Sequence, residues 1–217
     1  MILYGNWRSL ATYRVRVALA LKAIAHEVID INLATGEQHS AAFKAINPQA
    51  VLPALDDGQG AMLFQSLAII EYLDETHPAP PLLPADAAGR ARVRGLAQIH
   101  AADVHPLLVP RVRNYLQKDA GLDDAALQRW LARALLSGLD AIEARLAHSP
   151  HTGEFCHGNS PTLADICLAS QLIAMQLFKV DASAYPTAQR IYAACERLPA
   201  FAGAHPLKQP GSPGNER

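Results

Sequence analysis

No cysteine precedes Cys156 in this 217-residue chain, and the three present, Cys156, Cys167 and Cys195, are widely spaced and odd in number. Thiol-disulfide exchange by sulfurs of the N-terminal half is therefore excluded. Neither a disulfide framework nor a thiolate metal cluster can be read from the spacing, and buried free thiols are expected. An excess of charge is also missing: 19 Lys and Arg stand against 20 Asp and Glu. That balance gives no electrostatic drive toward nucleic acid or an anionic membrane surface. Apolar runs are short, none approaching the roughly 20 residues of a membrane span. The opening Ile2-Leu3-Tyr4 is too short for a signal-peptide core. A cytoplasmic protein with no membrane or nucleic-acid partner is expected. Among nine histidines the closest pairing, His100 and His105 around Asp103, lacks the i, i+4 spacing of a helical metal site, so no metal is expected.

What is present is the composition of a globular protein, 50% hydrophobic and 18% charged, in a chain long enough for two domains. Ile2-Leu3-Tyr4 reads as a buried strand and Leu10 to Lys22 as a helix bearing Arg14 and Arg16. His26 to Ile31 reads as a second strand, and Gln38 to Ile46 as a short helix broken by Asn47-Pro48. Leu52 must be extended because Pro53 follows it, and Pro53 is expected to be cis. The turn residues Asp56-Asp57-Gly58-Gln59-Gly60 join this run to Ala61–Phe64 as a hairpin, and a helix opens at Ser66. The order βαβαββα is that of a thioredoxin-like α/β domain, placed at residues 1–80.

His77-Pro78-Ala79-Pro80-Pro81 and Pro84 then form a linker, after which strands disappear. Arg90 to Lys118 is a helical pattern interrupted at Pro106 and Pro110, and Asp123 to Leu146 a second. Thr162-Leu163-Ala164-Asp165 is a capping box opening an apolar helix, read as a helix nucleus without chemistry. Tyr185 to Arg197 gives another helix, and the polar, glycine- and proline-rich end from Lys208 is expected to fray. An all-helical domain is thus placed at residues 87–217.

Two stretches could carry chemistry. Ser66 is expected to cap its helix, whose unpaired N–H groups and positive dipole end suit a carboxylate, while the extended backbone at Leu52 can pair with a peptide-like ligand. The alternative is an ordinary cap on an ordinary hairpin. The other stretch is Gly5 to Arg16, between first strand and first helix. It holds no cysteine, so a reactive sulfur must arrive with the ligand, and Ser9 beside a helix N-terminus favours its thiolate.

These residues resemble the zeta class of glutathione transferases, which includes maleylacetoacetate and maleylpyruvate isomerases. The likeness runs through Trp7-Arg8-Ser9, Arg14-Val15-Arg16, Gly36-Glu37-Gln38, Asn47-Pro48, Leu52-Pro53, Gln65-Ser66-Leu67-Ala68-Ile69-Ile70, Leu82-Leu83-Pro84, His105-Pro106, Thr162 to Asp165 and Phe178-Lys179-Val180-Asp181, almost the whole chain. The resemblance implies glutathione as cofactor, a homodimer, and these roles: Ser9 at the glutathione sulfur, Gln65 and Ser66 at the γ-glutamyl end, Leu52 at the cysteinyl part, Gln38 at the glycyl end and His105 on the helical wall. Arg8 and Arg111 are candidates for a dicarboxylate substrate, since a guanidinium forks onto a carboxylate; the alternative is that they are solvated surface charges. Arg14 and Arg16 read as structural or interdomain pairs.

Three departures bear on the substrate. Leu10-Ala11-Thr12 follows Ser9 where the family commonly has Ser-Cys-Ser, Val109-Pro110 stands where two asparagines are common, and Leu177 where an arginine often lies. Three functions are weighed: glutathione-dependent cis-trans isomerisation of a maleyl-type keto acid, conjugation or dehalogenation of a small electrophile, and a non-catalytic glutathione-binding module.

Overall fold

The computed structural model describes residues 1–213 and Asn215 and divides the chain into two compact units. One comprises Met1–Pro81 together with the segment from Leu198 onward, the other Leu82–Arg197. This differs from the expected 87–217 domain, because the C-terminal segment sorts with the α/β unit. The cause is local: α10 (Pro199–Ala204) packs on α1 (Leu10–Leu21), and the Arg16 guanidinium donates twice to the Ala204 carbonyl, at 3.3 and 3.2 Å.

In the α/β unit four strands, β1 (Ile2–Gly5), β2 (Glu27–Asp30), β3 (Ala54–Asp56) and β4 (Met62–Phe64), form one sheet in the order β2-β1-β3-β4. β1 and β2 are parallel and are therefore joined through helix α1, while β3 and β4 make the antiparallel hairpin. Helices α2 (Ala41–Ile46) and α3 (Ser66–Thr76) complete the expected βαβαββα order. α2 is shorter than its expected range because Ser40 is extended and caps Phe43, leaving Glu37–His39 as a separate 3₁₀ turn. α1 is buried on nearly all sides: Tyr13, Val15, Val17 and Leu19 are inaccessible to solvent. Each such apolar side chain contributes roughly 1.5–3 kcal/mol on burial. Ile31, Phe43 and Leu52 form a satellite cluster with Tyr4 and Ile46 packed on it, which fixes the chain just before Pro53. The Lys22 ammonium holds Asp74 at 2.7 Å and the carbonyls of His77 and Pro80, tying the ends of α1 and α3 to the proline-rich segment.

The tail expected to fray is ordered as far as described. Gln209 donates to the Gly203 carbonyl, the buried Ser212 hydroxyl donates to the Leu207 carbonyl, and Pro206–Lys208 forms a 3₁₀ turn. Of that expectation, Gly214, Glu216 and Arg217 lie outside the described residues.

The second unit is helical throughout its described elements: α4 (Ala87–Gln98), a π-turn segment (Ile99–Val104), α5 (His105–Leu108), α6 (Pro110–Lys118), α7 (Asp124–Leu146), α8 (Leu163–Leu177) and α9 (Pro186–Glu196). Of the two expected interruptions, the one at Pro110 falls at Val109, extended at φ −69°, ψ 152°, as required of a residue before proline, whereas Pro106 sits in the first turn of α5 directly after the π-turn segment, with helical His105 before it. α8 is largely apolar and buried on all sides from Leu163 to Met175, the signature of a central helix. Its capping box forms as expected, with buried Asp165 accepting from Thr162 and from the Cys156 N–H. Burial outweighs those hydrogen bonds and raises the Asp165 pKa. All three cysteines are free and buried.

Candidate active site

β1 delivers the chain into the Asn6–Ser9 loop. Gly5 is required there because a Cβ would overlap the Thr12 methyl group. Ser9 caps α1, its Oγ accepting from the Thr12 N–H at 3.1 Å. The cap uses the oxygen as acceptor and leaves the hydroxyl proton available to donate. Asn6, buried and overlooked at the sequence level, organises the loop: its side chain donates to Asp30 at 2.9 Å and accepts from the Arg8 N–H, while its carbonyl accepts from the Ser9 N–H at 3.1 Å. Arg8 is exposed and lies over Trp7, 5.6 Å from the ring centre. Arg8, Trp7, Asn6, Asp30 and Asn32 line a cleft of about 290 Å³. Burial raises the Asp30 pKa against the lowering effect of the Asn6 hydrogen bond, and the Glu37 charge adds to the rise.

On the other side of the sheet's central pair, Leu52–Pro53 is a cis peptide, as expected. Leu52 is buried, and the strand register stops at Ala54, so the Leu52 N–H and C=O stand outside the ladder. The cap expected of Ser66 is not made. Gln65 occupies the cap position with φ +66° and provides no side-chain cap, and Ser66 is the first helical residue. The difference arises because Gln65 turns the chain through a backbone conformation uncommon for a non-glycine residue. The first N–H groups of α3 consequently have no side-chain cap, and no acidic residue lies in its first turn. The buried Ser66 Oγ instead accepts from Arg14 Nε at 3.0 Å, which puts a buried guanidinium directly behind the helix start. The Gln65 side chain donates to Gln49 Oε1 at 2.9 Å. Arg14 and Arg16 are thus not surface charges: one backs Ser66, the other binds the Asn6 and Ala204 carbonyls.

Gln38 lies in the 3₁₀ turn, half-buried, its Oε1 shielded from solvent and without a hydrogen-bond partner among the described residues. His105 and Arg111 belong to the helical unit. His105 begins α5 with its ring 5.7 Å from that of His100, and Arg111 is exposed on α6. Leu177, at the end of α8, is 40% exposed.

The family model described as glutathione S-transferase, N-terminal domain matches residues 1–75, and that of the C-terminal domain matches residues 124–207. This chain belongs to the glutathione S-transferase family, zeta class. A maleylpyruvate isomerase from Ralstonia sp is 46% identical over 98% of this chain and 100% of its own length. A probable maleylacetoacetate isomerase from Vibrio cholerae is 45% identical over 97% of both chains. A solved maleylacetoacetate isomerase from Methylobacterium extorquens AM1, with bound malonate and GSH, superposes with a TM-score of 0.96 at 48% identity, covering 98% of this chain and 100% of that one. Within this transferase the α/β unit carries Arg8, Ser9, Gln38, Leu52, Gln65 and Ser66, and the helical unit carries His105 and Arg111.

Proposed function

We propose that this transferase is a glutathione-dependent cis-trans isomerase of a maleyl-type dicarboxylic keto acid, maleylacetoacetate or maleylpyruvate, in aromatic degradation. The observation that carries the glutathione reading is the start of α3, where first-turn N–H groups without a side-chain cap and the Ser66 hydroxyl, backed by Arg14, form a seat for a carboxylate. The isomerase reading rests on relatives of that name that match nearly end to end.

The residues present fit glutathione. Its γ-glutamyl carboxylate is assigned to Ser66 and Gln65, its cysteinyl backbone to the Leu52 N–H and C=O, and its glycyl end to Gln38, whose buried Oε1 can accept from the glycyl amide N–H and whose amide nitrogen can donate to the carboxylate. When bound, glutathione supplies a recyclable sulfur nucleophile for isomerising an activated double bond. Ser9 donates its hydroxyl proton toward that sulfur, and the N-terminal end of α1 adds its dipole, so both favour the ionised thiol. Arg8, exposed and held against Trp7, is assigned to a substrate carboxylate. Arg111 is a second candidate for a substrate carboxylate by the chemistry of its guanidinium, and His105 is assigned to glutathione on the resemblance. A homodimer is proposed on the same resemblance, and a cytoplasmic location on the short apolar runs of the sequence.

A second reading is favoured by the apolar residues at the departures: Leu10 and Ala11 are buried, Val109 breaks the helix, and Leu177 presents a hydrocarbon face. These suit conjugation or dehalogenation of a small electrophile. A spectrophotometric assay with substoichiometric glutathione separates the readings. An isomerase converts many equivalents of maleylpyruvate or maleylacetoacetate per glutathione, a conjugating transferase consumes glutathione one for one, and a binding module does neither.

A further inference from the structure

Ser9 reaches the C-terminal segment through an unbroken chain of hydrogen bonds inside the α/β unit. The Ser9 N–H donates to the Asn6 carbonyl at 3.1 Å, and Arg16 Nη1 donates to that same carbonyl at 3.4 Å. The other face of the Arg16 guanidinium grips the Ala204 carbonyl through Nε and Nη2, 188 residues away in sequence. Arg16 is 6% exposed, and burial lowers its pKa to about 10, still well above neutral, so the guanidinium that makes these bonds stays charged at pH 7. The tail meets the loop a second time at Gly211, where a Cβ would sit 3.5 Å from the Trp7 ring. Gln209, donating to the Gly203 and His205 carbonyls, fastens the intervening turn.

We propose that Arg16 is a positioning residue through which the C-terminal segment fixes the Asn6–Ser9 loop, and with it the Ser9 hydroxyl. The proposal rests on the assignment of Ser9 to the glutathione sulfur. A planar fork is needed because one donor set must satisfy two carbonyls on different segments. A lysine ammonium keeps the charge but lacks that geometry. Loss of the fork leaves the Asn6 carbonyl held by Ser9 alone and lets the loop move without unfolding the sheet.

The test uses two variants of the full chain, Arg16→Lys and Phe201→Ala. Phe201 is fully buried in α10 and is neither donor nor acceptor in the relay's hydrogen bonds, so Phe201→Ala loosens the packing of the helix that presents the Ala204 carbonyl. Amide exchange at Ser9 is measured first, without ligand, and is expected to speed up roughly tenfold in both variants, the equivalent of one backbone hydrogen bond. The pKa of the bound glutathione thiol is expected to rise and turnover to fall roughly three- to tenfold, while glutathione affinity stays within about twofold. Unchanged Ser9 exchange overturns the relay whatever the enzyme's activity. Faster exchange with an unmoved thiol pKa and turnover overturns the positioning role. A parent protein that leaves the glutathione thiol at its solution pKa instead sinks the assignment of Ser9, a different failure.

Discussion

Replacing Ser66 by alanine removes two hydrogen bonds that can be measured apart. In the free protein the Ser66 hydroxyl accepts from Arg14 Nε at 3.0 Å, with Ser66 5% and Arg14 2% exposed. Water cannot readily replace that acceptor, so the variant should lose about 1–3 kcal/mol of stability. For a chain of this size each kcal/mol lowers the melting temperature by about 2–4 °C. The loss is present in both the free and the bound protein, so it cancels from the affinity. What remains in the binding measurement is the hydroxyl's bond to the glutamyl carboxylate, about 1.5–3 kcal/mol for a charged acceptor. At 1.4 kcal/mol per decade, that is roughly ten- to a hundredfold weaker glutathione binding. Thermal unfolding reads the first quantity and titration calorimetry the second. A variant that melts lower but binds glutathione as tightly as the parent would show that Ser66 serves only Arg14 and that the start of α3 is not the carboxylate seat.

Arg8→Ala should raise the KM for a dicarboxylate roughly tenfold, the cost of one charge-assisted bond, while leaving the bound thiolate's absorbance intact; steady-state kinetics with unchanged KM would remove Arg8 as the anchor. Tyr185 donates to Asp140 at 2.7 Å, and burial first, then that hydrogen bond, raise its pKa from 10.0 to about 12. The folded state therefore holds the phenolic proton more tightly than the unfolded chain, so this contribution is full below pH 10 and is lost as pH rises toward 12. Denaturant unfolding of Tyr185→Phe should show lower stability at neutral pH but a shallower decline over that alkaline window; parallel curves would contradict the assignment.

The strand and helix order was legible because its signals are local: a short apolar run in Ile2–Tyr4, turn residues after Asp56, and a proline after Leu52 that demands extension. Ser9 was legible for the same reason, as a hydroxyl between a strand and a helix. The position of Ser66 was misjudged by one residue because Gln65 adopts φ +66°, which no propensity assigns to glutamine. Asn6 carried no signal at all. Its importance comes from contacts to Asp30, Ser9 and Arg16 that exist only once the sheet and α1 are assembled. The tail failed for a related reason. Glycine and proline content suggests fraying, but Gln209 and Ser212 donate back to the Gly203 and Leu207 carbonyls, just after a helix, α10, that packs on α1 from the opposite end of the sequence.

Catalysis as proposed depends on Ser9 holding the glutathione sulfur as a thiolate. Its most direct test is ultraviolet titration of the thiol of bound glutathione in the parent and in Ser9→Ala. In the parent the pKa should lie well below that of free glutathione; in Ser9→Ala it should rise toward the free value, and turnover should fall with it while glutathione affinity changes little. The lost helix cap should cost only about 1 kcal/mol of stability, so the variant stays folded for the measurement. A Ser9→Ala enzyme that keeps both the depressed pKa and the parental turnover would contradict the claim and leave the α1 dipole as the only activator of the sulfur.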